Sequence, residues 1–338
     1  MPKIKKIELN LEYQNYIQTP PVAGETLWNT ACSGDGPTLK KFSDVWVNNA
    51  KVNHAKFGSF KDKGVGLLFN LYKHRPVIVA GAGPSLKRNG EELKDRDGIG
   101  LVSCLHNFHY FVDRDIPVDF FVSLDAGEVT IEEVSEGGSK TPEEYWEATK
   151  DHTLLAYVGS SPRLLEKWRG KIYFFNAPVP GGVDNQIDEL EVFRTYVSSG
   201  GNVLGACVYL AKAIFGGNPI AFVGADFCFS YEKKFHGWDS KYDATIGNVQ
   251  RTVDVFGNKV FTWPSYFGFK CFFDWMAQNV PGIYINCTEG GTLGAYPDGN
   301  IMAIPQMDVS EFIGMYRLSE KVKDSCLNPD KATKIILY

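Results

Sequence analysis

The stretch RPVIVAGAGPSL at residues 75–86 constrains the fold of this chain more than any other part of its sequence. Residues 77–80 are apolar and mostly β-branched, which is typical of a strand buried in a sheet. The Gly-Ala-Gly sequence at 81–83 allows a sharp turn, because these residues have little or no side chain. Pro84 and Ser85 favour a helix start, the proline through its fixed φ and the serine through its capping hydroxyl. The stretch therefore predicts a strand, a tight turn and a helix.

Such a turn directs N–H donors toward a ligand at the positive end of a helix dipole, which favours phosphate. Two common phosphate motifs do not fit. A dinucleotide fingerprint would place a third small residue at Leu86 and a carboxylate after the next strand, where His106 and Asn107 stand. A P-loop would need Gly-Lys-Ser/Thr after the turn, and the chain has none there. The turn predicts a nucleotide pocket of another kind, with an ordinary tight turn as the alternative.

Apolar stretches alternate with helical patterns along most of the chain. Strands are expected at 77–80, 100–105, 120–124, 154–158, 172–176, 220–223 and 283–286, and helices at 89–94, 106–114, 162–169, 203–215 and 264–278. This alternation predicts an α/β fold, a Rossmann-like, doubly wound and mostly parallel sheet with helices on both faces.

Three regions are expected along the chain. Residues 1–70 are predicted to form an N-terminal arm, irregular over 1–45, and a helical segment that begins at 46. Residues 71–307 form the nucleotide-binding domain, and 308–338 form a short C-terminal helix and a tail.

Composition and charge indicate which partners and which cellular compartment to expect. The chain has 338 residues, 44% of them hydrophobic, and a net charge of −5 without a basic block, so no nucleic-acid partner is expected. No apolar run is long enough for a membrane span, and the N-terminus lacks the apolar core of a signal peptide. Its seven cysteines form no CxxC pair, which indicates reduced thiols and a cytoplasmic protein.

Acidic and amide residues follow several predicted strands. Asp125 follows the third strand and Asp226 follows the sixth, while Asn286 and Glu289 lie at the end of the last one. Because parallel strands end at one edge of a sheet, these side chains are expected near each other. They would bind Mg²⁺ or ribose hydroxyls, or act as a base, and helix capping is the alternative role.

Two further segments are candidates for the same site. Residues 198–202, Ser-Ser-Gly-Gly-Asn, precede a strongly helical run and predict a second anion site, with an ordinary helix cap as the alternative. His236 lies in the polar, aromatic segment 231–239, which is long enough to form a lid. A lid histidine would serve as an acid or a base, and an exposed bystander is the alternative.

Five motifs in order carry a family resemblance: VIVAGAGPSL (77–86), VDFFVSLD (118–125), SGGNV (199–203), PIAFVGADF (219–227) and INCTEGG (285–291). Together they resemble, over about residues 48–295, the domain shared by motility accessory factors and the archaeal 6-hydroxymethyl-7,8-dihydropterin pyrophosphokinase. The GxGPSL and GxDF pieces are also similar to bacterial sialyltransferases that use a CMP-sugar donor. The resemblance implies a Rossmann-like fold and a transfer reaction at a nucleotide.

The resemblance also implies roles for individual residues. The turn at 81–85 would hold the donor phosphate, and 199–201 would hold a sugar carboxylate or a second phosphate. With the residues proposed from the strand ends and the helix start, the candidate nucleotide-binding residues are Gly81, Ala82, Gly83, Pro84, Ser85, Asp125, Ser199, Gly200, Gly201, Asn202, Asn286 and Glu289. The sialyltransferases place a catalytic histidine just before a helix, where this chain reads TWPSY at 262–266. Asp226, His236 and Tyr266 are therefore the candidate catalytic residues.

Three functions follow from this resemblance. The leading one is a glycosyltransferase that uses a CMP-activated nonulosonic acid, requires no cofactor and modifies a protein or glycan acceptor. The second is a Mg²⁺-dependent pyrophosphokinase that acts on a pterin-like alcohol. The third is a catalytically inactive binding protein with the same fold.

Overall fold

The computed structural model describes residues 36–179, 182–191, 196–229, 249–295 and 304–317. The predictions made for the arm before residue 36, for His236 and for the tail after residue 317 lie outside these residues. The strands of the described part are β1 (Val77–Ala80), β2 (Gly100–Cys104), β3 (Phe120–Ser123), β4 (Thr153–Tyr157), β5 (Lys171–Phe175), β6 (Ile220–Val223), β7 (Gln250–Val253), β8 (Lys259–Thr262) and β9 (Tyr284–Asn286).

Seven of these strands form one parallel sheet in the order β5-β4-β3-β2-β1-β6-β9, whereas β7 and β8 form a separate antiparallel hairpin. The interior strand β1 is buried along its whole length and pairs Val77 with Gly100 on one side and with Ile220 on the other. Continuous apolar runs such as VIVA and IAFV suit this position, because both faces of a parallel sheet are covered. The predicted α/β Rossmann-like fold is confirmed.

Helices surround the sheet. They are α1 (Gly36–Phe57), α2 (Leu86–Asn89), α3 (Phe108–Val112), α4 (Val129–Ser135), α5 (Pro142–Ala148), α6 (Pro162–Lys167), α7 (Val183–Asp188), α8 (Val203–Tyr209), α9 (Pro264–Asn279) and α10 (Val309–Tyr316). Short 3₁₀ segments occur at Lys61–Lys63, Val65–Leu68, Gly90–Asp95, Leu105–Asn107 and Thr149–Asp151, and α8 continues as a π-helix over Leu210–Ile214. In the described part of the chain, no helix is both long and apolar enough to cross a membrane.

The irregular structure expected up to residue 45 is wrong for 36–45, because α1 already begins at Gly36. Two asparagine side chains, Asn53 and Asn49, attach this helix to the sheet. Asn53 donates to the carbonyls of Val158 and Ser160 at 2.8 and 3.0 Å, and Asn49 donates to that of Ala126 at 3.2 Å. These bonds fix α1 beside the carboxyl ends of β3 and β4.

The order of the strands creates a topological switch point between β1 and β6. The chain places β2 to β5 on one side of β1 and then returns to place β6 and β9 on the other side. In open α/β sheets, ligands bind outside the carboxyl ends of the strands at such a point. The residues that follow β1 and β6, Gly81 and Gly224, therefore mark the expected site.

Candidate functional site

The glycine turn after β1 packs directly against the end of β6. The N–H of Gly81 donates to the carbonyl of Val223, and that of Gly83 donates to the carbonyl of Gly224, both at 2.8 Å. A Cβ at position 81 would lie 2.5 Å from the Gly224 carbonyl oxygen, and one at 83 would lie 2.7 Å from it. Glycine is thus needed here for the close approach of two backbones.

Asp226 lies beside this turn and is almost completely buried. Its carboxylate accepts a hydrogen bond from the Ser85 hydroxyl at 2.7 Å and from the Ser85 N–H at 3.3 Å. Burial raises the pKa of Asp226 to about 6, although the bonds from Ser85 partly oppose this shift. Ser85 therefore binds Asp226 and does not act as the side-chain cap of α2.

These contacts use part of the predicted phosphate cradle. The N–H groups of Gly81, Gly83 and Ser85 donate within the protein, and α2 is only four residues long. Pro84 has no N–H to offer. The turn forms part of the wall of a cavity, and phosphate binding by this turn stays a prediction.

A cavity of about 290 Å³ opens at the switch point. It brings together the glycine turn, the end of β6, the start of α8 and the first turns of α9. Its lining consists of Gly81, Ala82, Gly83, Cys104, His106, Glu133, Asn202, Val203, Leu204, Gly224, Ala225, Asp226, Phe227, Tyr266 and Phe269. Two predicted catalytic residues, Asp226 and Tyr266, thus share one cavity.

The Ser-Gly-Gly-Asn segment forms the start of α8, as its sequence indicates. The Asn202 side chain accepts a hydrogen bond from the N–H of Gly205 at 2.9 Å, and it caps the helix. Gly200 and Gly201 have φ angles of +58° and +84°. Gly200 faces the ring of Phe272 and lines neither cavity described here.

A larger cavity of about 460 Å³ lies beside the first one, between α1 and the ends of β3, β4 and β5. Its lining contains aromatic, aliphatic and polar side chains. Its lining consists of Thr38, Phe42, Trp46, Leu105, His106, Val122, Ser123, Leu124, Asp125, Glu133, Tyr157, Ala177, Pro178, Val179, Ser199, Gly201, Asn202 and Val203. Asp125 also accepts a hydrogen bond from the N–H of Gly127 at 2.9 Å, so it combines turn formation with a place in the lining.

The two cavities share a wall, to which His106, Glu133, Asn202 and Val203 belong. Within this wall, Nδ1 of His106 lies 3.1 Å from Oε1 of Glu133, and both side chains are partly exposed. One sequence signal pointed to this pair, because His106 follows β2 at the sheet edge. Glu133 gave none, since it belongs to a helix that was not predicted.

Asn286 and Glu289, two of the predicted binding residues, lie outside the linings of both cavities. Asn286 is fully buried and donates to the Leu293 carbonyl and the Gln306 side chain at 3.0 and 2.9 Å. Glu289 accepts a hydrogen bond from the N–H of Val309 at 3.0 Å, which holds the start of α10. Both residues thus attach the C-terminal part of the described chain to the sheet.

The charge of the two linings is negative. Among the described residues, the linings contain the carboxylates Asp125, Glu133 and Asp226 but neither lysine nor arginine. The described part of the chain also has no group of three His, Cys, Asp or Glu side chains arranged to hold a metal ion. From the described residues, such a lining offers an anionic ligand helix dipoles and neutral donors.

Among solved structures, the MAf glycosyltransferase from Magnetospirillum magneticum AMB-1 is similar to this chain, with a TM-score of 0.52 and 16% sequence identity. The alignment covers 75% of this chain and 37% of that one, so this chain spans little more than a third of that protein. At this identity the likeness shows a shared fold. No curated protein matches the chain.

A family model described as 6-hydroxymethylpterin diphosphokinase MptE-like matches residues 48–232, which is more than half of the chain. The matched segment includes β1 to β6, the glycine turn, the start of α8 and the shared wall of the two cavities. The chain belongs to the family that this model describes, which is named MptE-like after a 6-hydroxymethylpterin diphosphokinase.

Proposed function

We propose that this protein is a nucleotide-dependent transferase whose active site is the cleft formed by the two adjoining cavities. The observation that carries the proposal is the shared wall of His106, Glu133, Asn202 and Val203. A transfer reaction needs a donor and an acceptor that meet at one point. Two cavities that touch at a polar wall, at the carboxyl edge of the sheet, provide such a meeting point.

We assign the nucleotide donor to the smaller cavity. It lies at the switch point, where Rossmann-like folds bind nucleotides. Asn202 and Val203 bring the start of α8 to the border of both cavities, where the N-terminal end of the helix favours negative charge. The anionic group of the donor would face this helix end. Charge that develops on the departing phosphate would be stabilised there.

The acceptor then belongs in the larger cavity. Phe42, Trp46 and Tyr157 give this cavity a broad aromatic surface, and Ser199 and Asp125 add polar groups to its lining. Aromatic faces bind the apolar face of a sugar or a flat ring, while polar groups fix its orientation.

For the donor we propose a CMP-activated nonulosonic acid, with glycosyl transfer as the reaction. Support comes from the resemblance of the GxGPSL, SGGN and GxDF segments, and from the fold shared with a protein described as a glycosyltransferase. In this reaction the acceptor oxygen bonds to the anomeric carbon, and the bond from that carbon to the phosphate oxygen breaks. Cytidine monophosphate leaves with the electron pair, and no cofactor is required.

The family match favours a second candidate, diphosphate transfer from ATP to a pterin-like alcohol. This reaction ordinarily uses Mg²⁺ to neutralise the phosphates. The described residues do not form a three-ligand metal group, and the Asp226 carboxylate already accepts hydrogen bonds from Ser85. We therefore assign no step to a magnesium ion.

Product release distinguishes these candidates. The purified chain is incubated with a CMP-activated nonulosonic acid, and separately with ATP, a hydroxymethylpterin and Mg²⁺, and released CMP or AMP is measured. We expect CMP release, whereas AMP release alone would support the diphosphokinase. Nucleotide binding without release of either product would support the inactive binding protein.

A matched pair of variants tests whether the release occurs in this cleft. Tyr266→Phe removes a hydroxyl from the lining of the smaller cavity, and Tyr284→Phe removes one from a buried tyrosine outside both cavities. If Tyr266 contacts the reacting groups, CMP release falls at least tenfold in the first variant and stays near the wild-type rate in the second. Equal rates in both variants would remove Tyr266 from the catalytic residues.

A further inference from the structure

We infer that His106 is the general base of the transfer reaction and that Glu133 positions its imidazole; this inference rests on the proposed function. The sequence offered Asp226, His236 and Tyr266 for this role, and the structure adds a fourth candidate. His106 borders both the cavity assigned to the donor and the cavity assigned to the acceptor. A base that takes the proton of an acceptor hydroxyl has to stand at that border.

The backbone around His106 is held firmly in place. His106 belongs to the 3₁₀ segment directly after β2. The next residue, Asn107, is fully buried and donates to the Gly81 carbonyl at 2.9 Å and to the Ser103 hydroxyl at 3.0 Å. These bonds attach the segment to the glycine turn and to β2. A catalytic side chain gains from such support, because its position is fixed before the substrate binds.

Glu133 reaches His106 from a different element, α4. Its Oε1 atom lies 3.1 Å from Nδ1 of His106. A neutral imidazole that donates its Nδ1 proton to a carboxylate carries its lone pair on Nε2, which is the atom that accepts a proton in catalysis. The carboxylate also stabilises the imidazolium that forms, as in other histidine–carboxylate pairs.

Among the described residues, the other titratable side chains that line the two cavities with His106 are acidic groups or neutral phenols and thiols, namely Asp125, Asp226, Tyr157, Tyr266 and Cys104. Asp226 and Tyr266 line the smaller cavity with it, and Asp125 lines the larger one. Asp226 is less suited to act as the base, because its carboxylate accepts hydrogen bonds from both the N–H and the hydroxyl of Ser85. His106 and Glu133 are each 20 to 25% exposed, so a substrate in the cleft can reach them.

In the proposed step, the glycosyl group passes to the acceptor and one proton passes to His106. The acceptor hydroxyl oxygen forms a bond to the anomeric carbon while the bond from that carbon to the donor phosphate oxygen breaks. The electron pair of the broken bond stays on CMP. The hydroxyl proton passes to Nε2 of His106, and the resulting imidazolium is held by Glu133 until the proton leaves to water.

The test combines variants of the pair with a matched control. His106→Gln and Glu133→Gln are compared with His54→Gln, which removes a histidine that lies 3.5 Å from Glu191 and lines neither cavity. General bases contribute about 10²- to 10⁴-fold to rates. We expect kcat to fall at least 100-fold in His106→Gln and tenfold in Glu133→Gln, with the donor KM changed less than threefold. His54→Gln keeps the wild-type kcat.

Two readouts separate catalysis from a structural effect. In the wild type, kcat falls at acidic pH because the base takes up a proton. This acidic decrease is absent from the pH profile of His106→Gln. Added imidazole restores part of the kcat of His106→Ala, and Glu133→Asp retains more activity than Glu133→Gln. A His106→Gln enzyme with the wild-type rate and pH profile would overturn the inference while leaving the proposed function intact. A wild-type protein that binds and turns over no nucleotide donor would overturn both.

Discussion

Asp226 and Ser85 join the carboxyl ends of β6 and β1 through a buried hydrogen bond of 2.7 Å between carboxylate and hydroxyl. The two residues come from segments that are far apart in the sequence and meet only at the switch point of the sheet. Their contact fixes the glycine turn against β6 and sets one wall of the smaller cavity. The same contact keeps an acidic group inside the protein, which has a measurable consequence for stability.

The stability of the protein is expected to depend on pH through Asp226. Its pKa is about 6 in the folded state and close to 3.8 when unfolded, so between pH 4 and 6 the folded state binds more protons. The contribution of Asp226 to the unfolding free energy therefore falls by about 3 kcal/mol as the pH rises through this window. The Asp226→Asn variant has no carboxylate to titrate at this position. Its unfolding free energy relative to that of the wild type should therefore be about 3 kcal/mol higher at pH 7 than at pH 4.

Urea denaturation at the two pH values measures this difference. Ser85→Ala serves as the comparison, because it keeps the carboxylate and removes a hydrogen bond that lowers the pKa of Asp226, so its stability should fall with rising pH at least as much as that of the wild type. If Asp226→Asn and the wild type differ in unfolding free energy by the same amount at pH 4 and pH 7, the pH dependence does not come from Asp226.

The close packing of the glycine turn predicts a strong effect of a single methyl group. In Gly83→Ala the new Cβ overlaps the Asp226 carboxylate and lies 2.7 Å from the Gly224 carbonyl oxygen. We expect the unfolding free energy to fall by about 2 to 3 kcal/mol, as in other overpacked sites. Gly268→Ala is the matched control, because its Cβ meets no atom within 4 Å and it lies in α9.

In that helix alanine is favoured over glycine by up to about 1 kcal/mol, so Gly268→Ala should stabilise the protein. Denaturation of both variants in urea gives the comparison. If both substitutions have the same small effect, β1 and β6 are not as closely packed as described.

The buried amide of Asn53 is expected to hold the α1 wall of the larger cavity. In Asn53→Ala two carbonyls, those of Val158 and Ser160, lose their donor, which should cost about 2 kcal/mol of unfolding free energy. Val52→Ala changes an exposed residue of the same helix and should stay within about 0.5 kcal/mol of the wild type. Hydrogen exchange should also speed up in α1 of Asn53→Ala, and unchanged exchange there would contradict this role.

Most of the sheet could be predicted from the sequence. Runs such as VIVA at 77–80 and IAFV at 220–223 are too short and too β-branched for helices, and they match the observed strands residue for residue. The helices α4 and α7 were not predicted, since helices of six or seven residues are stable only through tertiary packing. The helix α5 carries a readable signal, the capping box of Thr141 and Glu144.

The site was harder to predict because its contacts join distant parts of the chain. The sequence located the glycine turn correctly, but its N–H groups are used by Val223 and Gly224 of another strand. Local sequence does not show which carbonyl will face a given N–H group. The pairing of His106 with Glu133, 27 residues later, likewise depends on how α4 packs at the end of β2.

Binding of a nucleotide is the most direct test of the central claim, and thermal unfolding measures it without knowledge of the acceptor. The melting temperature is recorded with cytidine, uridine, guanosine and adenosine nucleotides, each with and without Mg²⁺. A ligand at 100 times its Kd stabilises a protein by about 2.7 kcal/mol, which is readily seen in such a scan. Cytidine nucleotides are predicted to raise the melting temperature without Mg²⁺. An unchanged melting temperature with every nucleotide, under both conditions, would contradict the account.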